Sequence, residues 1–165
     1  MIPDQGVLQF SPPQRNLVFQ ALDEAEARTS GYYCIPPFRW ERLRFDLLTQ
    51  ADHGWEPFPE PTLARVRRLQ RVDRSRAFDF YRIELNDRSI LEAAHRENLA
   101  KDLYPFFVYI LTHEMVHMVR LSSILDEPDV LVPCNETEEQ RVQRIARRIL
   151  ANSLHVKPVL DRFCS

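Results

Sequence analysis

The chain has 165 residues, a length that suits one compact unit with a buried core, so we expect a single domain over residues 1–165. Its 22 basic and 24 acidic side chains leave a formal net charge of −2, so no overall field favours nucleic acid or an anionic membrane as partner. The three cysteines are far apart and form no CxxC pair, and the longest apolar run is too short to cross a bilayer. These features exclude a disulfide scaffold and predict a cytoplasmic protein with no membrane partner.

The first predicted element is a helix over residues 12–30. Ser11 is a typical N-cap residue, and Pro12 suits the first helical position. Gly31 is a typical residue just beyond a helix, so we expect the helix to end there. The double proline that follows predicts an extended connection over residues 32–39.

The middle of the chain predicts a small sheet. Residues 40–50 fit either a strand or a helix, and their pattern does not decide between the two. Residues 63–72 and 77–85 predict two strands joined near residues 73–76, with a turn signal at Asn86 after the second. The arginines between residues 65 and 76 are expected on the solvated face of this strand pair, so binding of nucleic acid is not expected.

Three helices are predicted in the rest of the chain. A polar helix is expected around residues 91–100, and the helix over residues 103–121 is apolar on nearly every side, which predicts burial all round. After a break at residues 126–133, Asn135 is the expected cap of a last helix, with Glu138 completing a capping-box-like pattern. That helix carries an apolar stripe of Val142, Ile145, Ala146, Ile149 and Leu150.

The apolar helix contains the motif HExxH, from His113 to His117. Four residues along a helix correspond to about 6 Å of rise and roughly 40° of rotation, so both imidazoles leave one face and can bind one metal ion. Zinc accepts neutral imidazole nitrogens and prefers four ligands. Glu114 is turned by about 100° from His113, which places it to take a proton from a zinc-bound water.

A third protein ligand is expected from the acidic first turns of the last helix, at Glu136, Glu138 or Glu139. At 100° per residue, Glu139 lies nearest the centre of the apolar face and should therefore point into the core. A carboxylate directed inward needs a compensating charge, which zinc would supply. Glu138 ranks second because it is expected to act as a capping partner. The predicted ligands of Zn²⁺ are thus His113, His117 and Glu139.

These residues resemble the HExxH zinc metallopeptidases with a glutamate as third ligand (gluzincins), and most closely the compact ImmA/IrrE-type zincins. That family shows a strand ending near an asparagine, here IELN at residues 83–86, and then the motif helix. A following helix reads roughly E-x-x-A-[ND]-x-F-A-x-x-L-L, here EQRVQRIARRIL from Glu139 to Leu150. The match spans about residues 78–152, and it too implies that Glu139 is the third ligand.

The resemblance implies an α+β, zincin-like domain, with a small, mostly antiparallel sheet packed against the HExxH helix and flanked by helices. The expected function is a zinc metallopeptidase that hydrolyses peptide bonds of a peptide or protein substrate, with Glu114 activating the zinc-bound water. The strand at residues 78–85 is expected to pair with the substrate at a sheet edge. The alternative is a non-catalytic zincin-like protein that binds a protein or nucleic-acid partner.

A group that stabilises the charged intermediate is also expected. Four residues are candidates, and the sequence does not choose among them: Tyr81, Tyr104, Tyr109 and His155.

Overall fold

The computed structural model describes residues 8–53, 62–69, 79–122, 124–125 and 135–163. Within these ranges the chain forms seven helices and a sheet of three strands. In chain order the elements are α1 (Pro12–Tyr32), α2 (Pro37–Trp40), β1 (Leu43–Leu48), α3 (Gln50–His53), β2 (Ala64–Arg68), β3 (Asp79–Leu85), α4 (Asp87–Arg96), α5 (Tyr104–Leu121), α6 (Glu138–Leu150) and α7 (Lys157–Phe163). The predicted α+β class is confirmed.

The sheet has the strand order β1-β3-β2, with β3 in the centre. β2 pairs with β3 antiparallel, with Val66 opposite Ile83, whereas β1 pairs with β3 parallel, with Leu47 opposite Ile83. The sheet is therefore mixed, and the expectation of a mostly antiparallel sheet is wrong for one of its two pairings. The pattern of residues 40–50 did not even decide between strand and helix, so it carried no information on the direction of β1.

The central position of β3 corrects a second prediction. Both edges of β3 are used by neighbouring strands, so its backbone cannot also pair with a substrate. β2 is the outer strand on the side of α5, and it contacts that helix. In the described sheet, pairing with an extended peptide would therefore require an outer strand, β1 or β2, and β2 is the one that contacts α5.

The two faces of the sheet differ in polarity. Tyr81, Ile83 and Leu85 alternate along β3 and are fully buried. On the other face, Arg82 binds Asp46 of β1 through two hydrogen bonds of 3.0 Å. Glu84, on the same face, pairs with two arginines of β2, so this face of the sheet carries charged side chains.

The arginines of β2 have partners within the sheet. Arg65 lies 2.7 Å from Glu84, and Arg67 lies 3.1 Å from the same carboxylate. Both arginine side chains remain about half exposed, as expected for a solvated face. The predicted turn at residues 73–76 and the arginines around it lie outside the described residues.

α1 starts as predicted and ends later. Ser11 caps it together with Gln14, in a reciprocal capping box. Gly31 is not the stop that we expected, because it lies within the helix, and the left-handed residue beyond the end is Cys34, with a φ of 53°. The predicted extended connection is interrupted by α2, because Pro37 occupies the first helical position after an extended Pro36.

The C-terminal helices also depart from the sequence prediction. α6 is capped by Thr137, whose side chain accepts from the Gln140 backbone while the Gln140 side chain accepts from the Thr137 backbone. Asn135 and Glu138 are therefore not the capping pair. α6 is also not the last helix, because α7 follows it. The apolar stripe of α6 is buried as predicted.

A buried carboxylate joins the start of α4 to two other parts of the chain. Asp87 accepts hydrogen bonds from the backbone N–H groups of Phe10 (3.0 Å), Gln50 (2.9 Å) and Ala51 (3.2 Å). Burial raises the pKa of Asp87, although these backbone donors act in the opposite direction. Asn86 caps α4 from the preceding position.

α5 lies at the centre of the packing and contacts α1, α6, α7 and β2. Of its 18 residues 13 are buried, which confirms the prediction that this helix is enclosed on nearly all sides. Among the described residues, no helix combines the length and the apolar character needed to span a bilayer.

Candidate metal centre

The two histidines of the motif lie next to each other on α5. Their ring centroids are 5.0 Å apart, and the side chains of His113 and His117 are 13% and 22% exposed. Both rings thus reach the rim of the buried helix on one face, as the four-residue spacing predicts.

Glu139, in the first turn of α6, connects the two imidazoles. Its Oε1 lies 2.7 Å from Nε2 of His113, and its Oε2 lies 3.0 Å from Nε2 of His117. The structure therefore brings all three predicted ligands together, although they are 22 and 26 residues apart in the chain.

The orientation of Glu139 differs from the prediction. Its side chain is 65% exposed, so it does not point into the core. The apolar stripe of α6 starts one turn later, at Val142, and the first turn of the helix lies at the rim of α5. Glu139 reaches the imidazoles from the solvent side, and this leaves the group open to an ion from solution.

The donor atoms fit a metal ion. One ligand atom from each of His113, His117 and Glu139 lies within 4.8 Å of the other two. The ligands of tetrahedral zinc, at bond lengths of about 2.1 Å, lie roughly 3.4 Å apart, so small side-chain movements suffice to accommodate the ion. Two imidazoles and one carboxylate also form a ligand set that zinc uses in catalytic sites, where a fourth position stays open.

The electrostatics of the three groups are strongly coupled. The hydrogen bond from His113 lowers the pKa of Glu139 to about 2, against the effect of burial. Burial alone would lower the pKa of His113, but the hydrogen bond to Glu139 and the nearby carboxylates raise it overall. Burial and the charge of His113 lower the pKa of His117. Glu139 is therefore an anion, as a metal ligand requires.

Glu114 lies between the ligands in sequence and is buried, with 6% of its surface exposed. Burial raises its pKa to about 7, while the charge of His113 acts in the opposite direction. Glu114 also lines two cavities beside the histidines.

Two cavities adjoin the three ligands. The first, of about 260 Å³, borders His113 and has an apolar wall of Leu63, Ile110 and Phe163. The second, of about 450 Å³, borders His117. Thr62, Ala64, Glu114 and Glu139 line both of them. The start of β2 thus faces the site together with the carboxylate of Glu114.

The other acidic residues at the start of α6 are held by arginines. Glu138 binds Arg120 of α5, which lowers the pKa of the Glu138 carboxyl. Glu136 binds Arg144 through two hydrogen bonds, and these lower the pKa of Glu136. Neither carboxylate belongs to the group that could hold a metal ion. The choice of Glu139 over Glu138 agrees with this arrangement.

The four candidates for stabilising an intermediate lie in different places. Tyr109 borders the first cavity, and its ring centroid is 6.2 Å from that of His113. Tyr81 is buried in β3. Tyr104 stacks on His155, and Nε2 of His155 lies 3.1 Å from Glu24. Neither Tyr104 nor His155 lines the two cavities. Of the four, the structure brings Tyr109 to the site.

Two contributors were not predicted. Phe163 belongs to α7, a helix too short to show a clear sequence period, so nothing pointed to it as a cavity wall. Arg120 lies three residues after His117, on the neighbouring turn, and this spacing could have suggested a role beside the ligands.

Comparison with known proteins gave no match to any family model, curated protein or solved structure.

Proposed function

We propose that this protein is a zinc-dependent hydrolase that cleaves peptide bonds. The observation that carries the proposal is the convergence of His113, His117 and Glu139 on one point, with the carboxylate of Glu114 buried beside them. Without partners, the two histidines and Glu114 would be costly on this largely buried apolar helix. Together they form the ligands and the base that metal-assisted hydrolysis requires.

The chemistry divides between the ion and the chain. When bound, zinc would polarise the carbonyl of the substrate and make water acidic enough to be deprotonated near neutral pH. Glu114 would accept the proton of the attacking water and then pass it to the leaving amine. Glu114 lines both cavities beside the ligands, which supports this role.

The shape of the site favours an extended peptide as substrate. β2 is an outer strand in the described part of the sheet, and both its first residue, Ala64, and the preceding Thr62 line both cavities. A peptide that added to this strand would cross the site with its scissile bond near Glu114, and backbone pairing of this kind is a common mode of peptide recognition. The apolar wall with Leu63 and Phe163 would accept an apolar side chain.

The test compares the wild type with Glu114→Gln. We expect purified wild-type protein to bind about one zinc ion per chain and a His113→Ala variant to lose it. Glu114→Gln should keep the zinc, and its rate of cleavage on a peptide library should fall by about 100- to 10,000-fold, the usual contribution of a general base. Glu92→Gln, a change at an exposed glutamate of α4, is the matched control and should retain full activity.

Two results would contradict the proposal. One is a zinc-loaded wild type that cleaves no peptide of the library, which would favour the non-catalytic alternative. The other is equal cleavage by wild type and Glu114→Gln, which would exclude Glu114 as the base.

A further inference from the structure

Arg120 and Glu138 form an ion pair that connects the helix of the two histidines to the helix of the third ligand. Nε of Arg120 lies 2.6 Å from Oε1 of Glu138, and Nη2 lies 3.1 Å from Oε2. This is the bidentate geometry of a strong arginine–carboxylate contact. The Arg120 side chain is only 14% exposed, so the pair is shielded from water on the arginine side.

The positions of the two residues strengthen the contact. Arg120 lies in the last turn of α5, and Glu138 is the first residue of α6. A cation at a helix C-terminus and an anion at a helix N-terminus each interact favourably with the helix dipole. The pair therefore joins the two helix ends at the points where these charges are most stable.

The ion pair acts on the residue next to Glu139. A rotation of α6 by 10° would move a carboxylate at a radius of about 5–6 Å by roughly 1 Å. Metal–ligand distances tolerate only about 0.2 Å, so the rotation of this first turn has to be fixed closely. The apolar stripe of α6 starts a turn later, and apolar packing is not directional. The directional contact at Glu138 fixes the rotation of the first turn, which apolar packing alone leaves undetermined.

The pair also settles which carboxylate is available as a ligand. Both oxygens of Glu138 accept from Arg120, and both oxygens of Glu136 accept from Arg144. The oxygens of Glu139 instead face the two imidazoles. Arg120 thus withholds the adjacent glutamate from the metal while it aligns the correct one.

We propose that Arg120 is a positioning residue of the metal centre, which holds the first turn of α6 through Glu138 so that Glu139 completes the ligand set. The inference rests on the proposed zinc site. This role and simple electrostatics predict opposite changes in zinc affinity when Arg120 is replaced by a neutral residue. Removal of a positive charge close to a cation should strengthen zinc binding if charge alone matters, whereas loss of alignment should weaken it.

The experiment measures zinc affinity by competition with a chromophoric chelator. It compares the wild type with Arg120→Gln, Glu138→Gln and the double variant. We expect each single variant to bind zinc about 10- to 100-fold more weakly, the usual effect of removing an outer partner of a metal ligand. Because both residues act through one contact, the double variant should be no weaker than Glu138→Gln alone. Arg148→Gln, a change at an exposed arginine of α6, should leave the affinity unchanged.

The outcomes are distinguishable. A wild type that binds no zinc overturns the metal centre and this inference with it. A wild type that binds zinc, with Arg120→Gln binding it equally or more tightly, overturns the inference and leaves the proposed function intact. Additive losses in the double variant, or an equal loss in Arg148→Gln, also overturn it. Glu138→Gln tests the same contact from the other helix if Arg120→Gln does not fold.

Discussion

Glu139 differs from its acidic neighbours in its hydrogen-bond partners. Its side chain is largely exposed, yet both of its oxygens contact imidazole nitrogens, whereas Glu136 and Glu138 contact arginines. A carboxylate that reaches two imidazoles from the solvent side can exchange them for an ion without a rearrangement of the core.

The variant Glu139→Gln tests this residue. We expect it to bind zinc more weakly by more than about 100-fold, beyond the 10- to 100-fold typical of outer partners, because a neutral amide replaces a charged ligand. Chelator competition measures the affinity. Glu136→Gln is the control, since it removes the same charge from a carboxylate that contacts Arg144 and not the imidazoles, and its affinity should stay within a few-fold of wild type. Equal affinities of wild type and Glu139→Gln would show that this carboxylate is not a ligand.

The sequence predicts the histidine pair well and the acidic ligand less well, for a physical reason. The relative position of His113 and His117 depends only on the local geometry of one helix, which is the same wherever that helix packs. The position of Glu139 depends on how α6 packs on α5. Helical periodicity singled out the glutamate that the structure places against the two imidazoles, but it predicted an inward direction that the exposed side chain does not have.

One buried side chain connects α4 to α3 and to the residues before α1. Asp87, the first residue of α4, accepts hydrogen bonds from the backbone N–H groups of Phe10, before α1, and of Gln50 and Ala51 in α3. We expect Asp87→Ala to lower the free energy of unfolding by about 3 kcal/mol or more, because each buried donor left without an acceptor costs about 1–3 kcal/mol. Urea denaturation measures this change.

Two further variants show whether the loss comes from these hydrogen bonds. Asp87→Asn retains one acceptor oxygen and should lose less stability than Asp87→Ala. Asp102→Ala, at an exposed aspartate just before α5, should change the stability by no more than about 0.5 kcal/mol. A loss below about 1 kcal/mol in Asp87→Ala would mean that the three donors find other acceptors.

Elements with their own local signals were predicted, and elements that depend on distant partners were not. α1 has its cap residue Ser11 followed by proline, and α5 has a continuous apolar surface. α7 has seven residues and offers too few turns for a period to be seen. The direction of β1 is set by its pairing with β3, which lies more than 30 residues further along the chain. No local pattern encodes that choice.

In the molecule as a whole, α5 holds the core and the candidate site together. The helix contacts α1, α6, α7 and β2, and its motif lies where α6 and β2 meet its surface. The enclosed helix fixes the imidazoles, α6 brings Glu139 to them, and β2 lies beside them as an outer strand of the described sheet. The HExxH motif predicted that the two histidines lie together on one helix. Which other elements pack around that helix depends on tertiary packing, which the motif does not encode.

The central claim is that one zinc ion binds between His113, His117 and Glu139. A crystal structure of the zinc-loaded protein, with anomalous data collected at the zinc absorption edge, tests it most directly. The account predicts one strong anomalous peak, about 2.0–2.2 Å from two imidazole nitrogens and a Glu139 oxygen. A zinc peak at other residues, or Glu139 turned away from a zinc ion that the histidines hold, would contradict it.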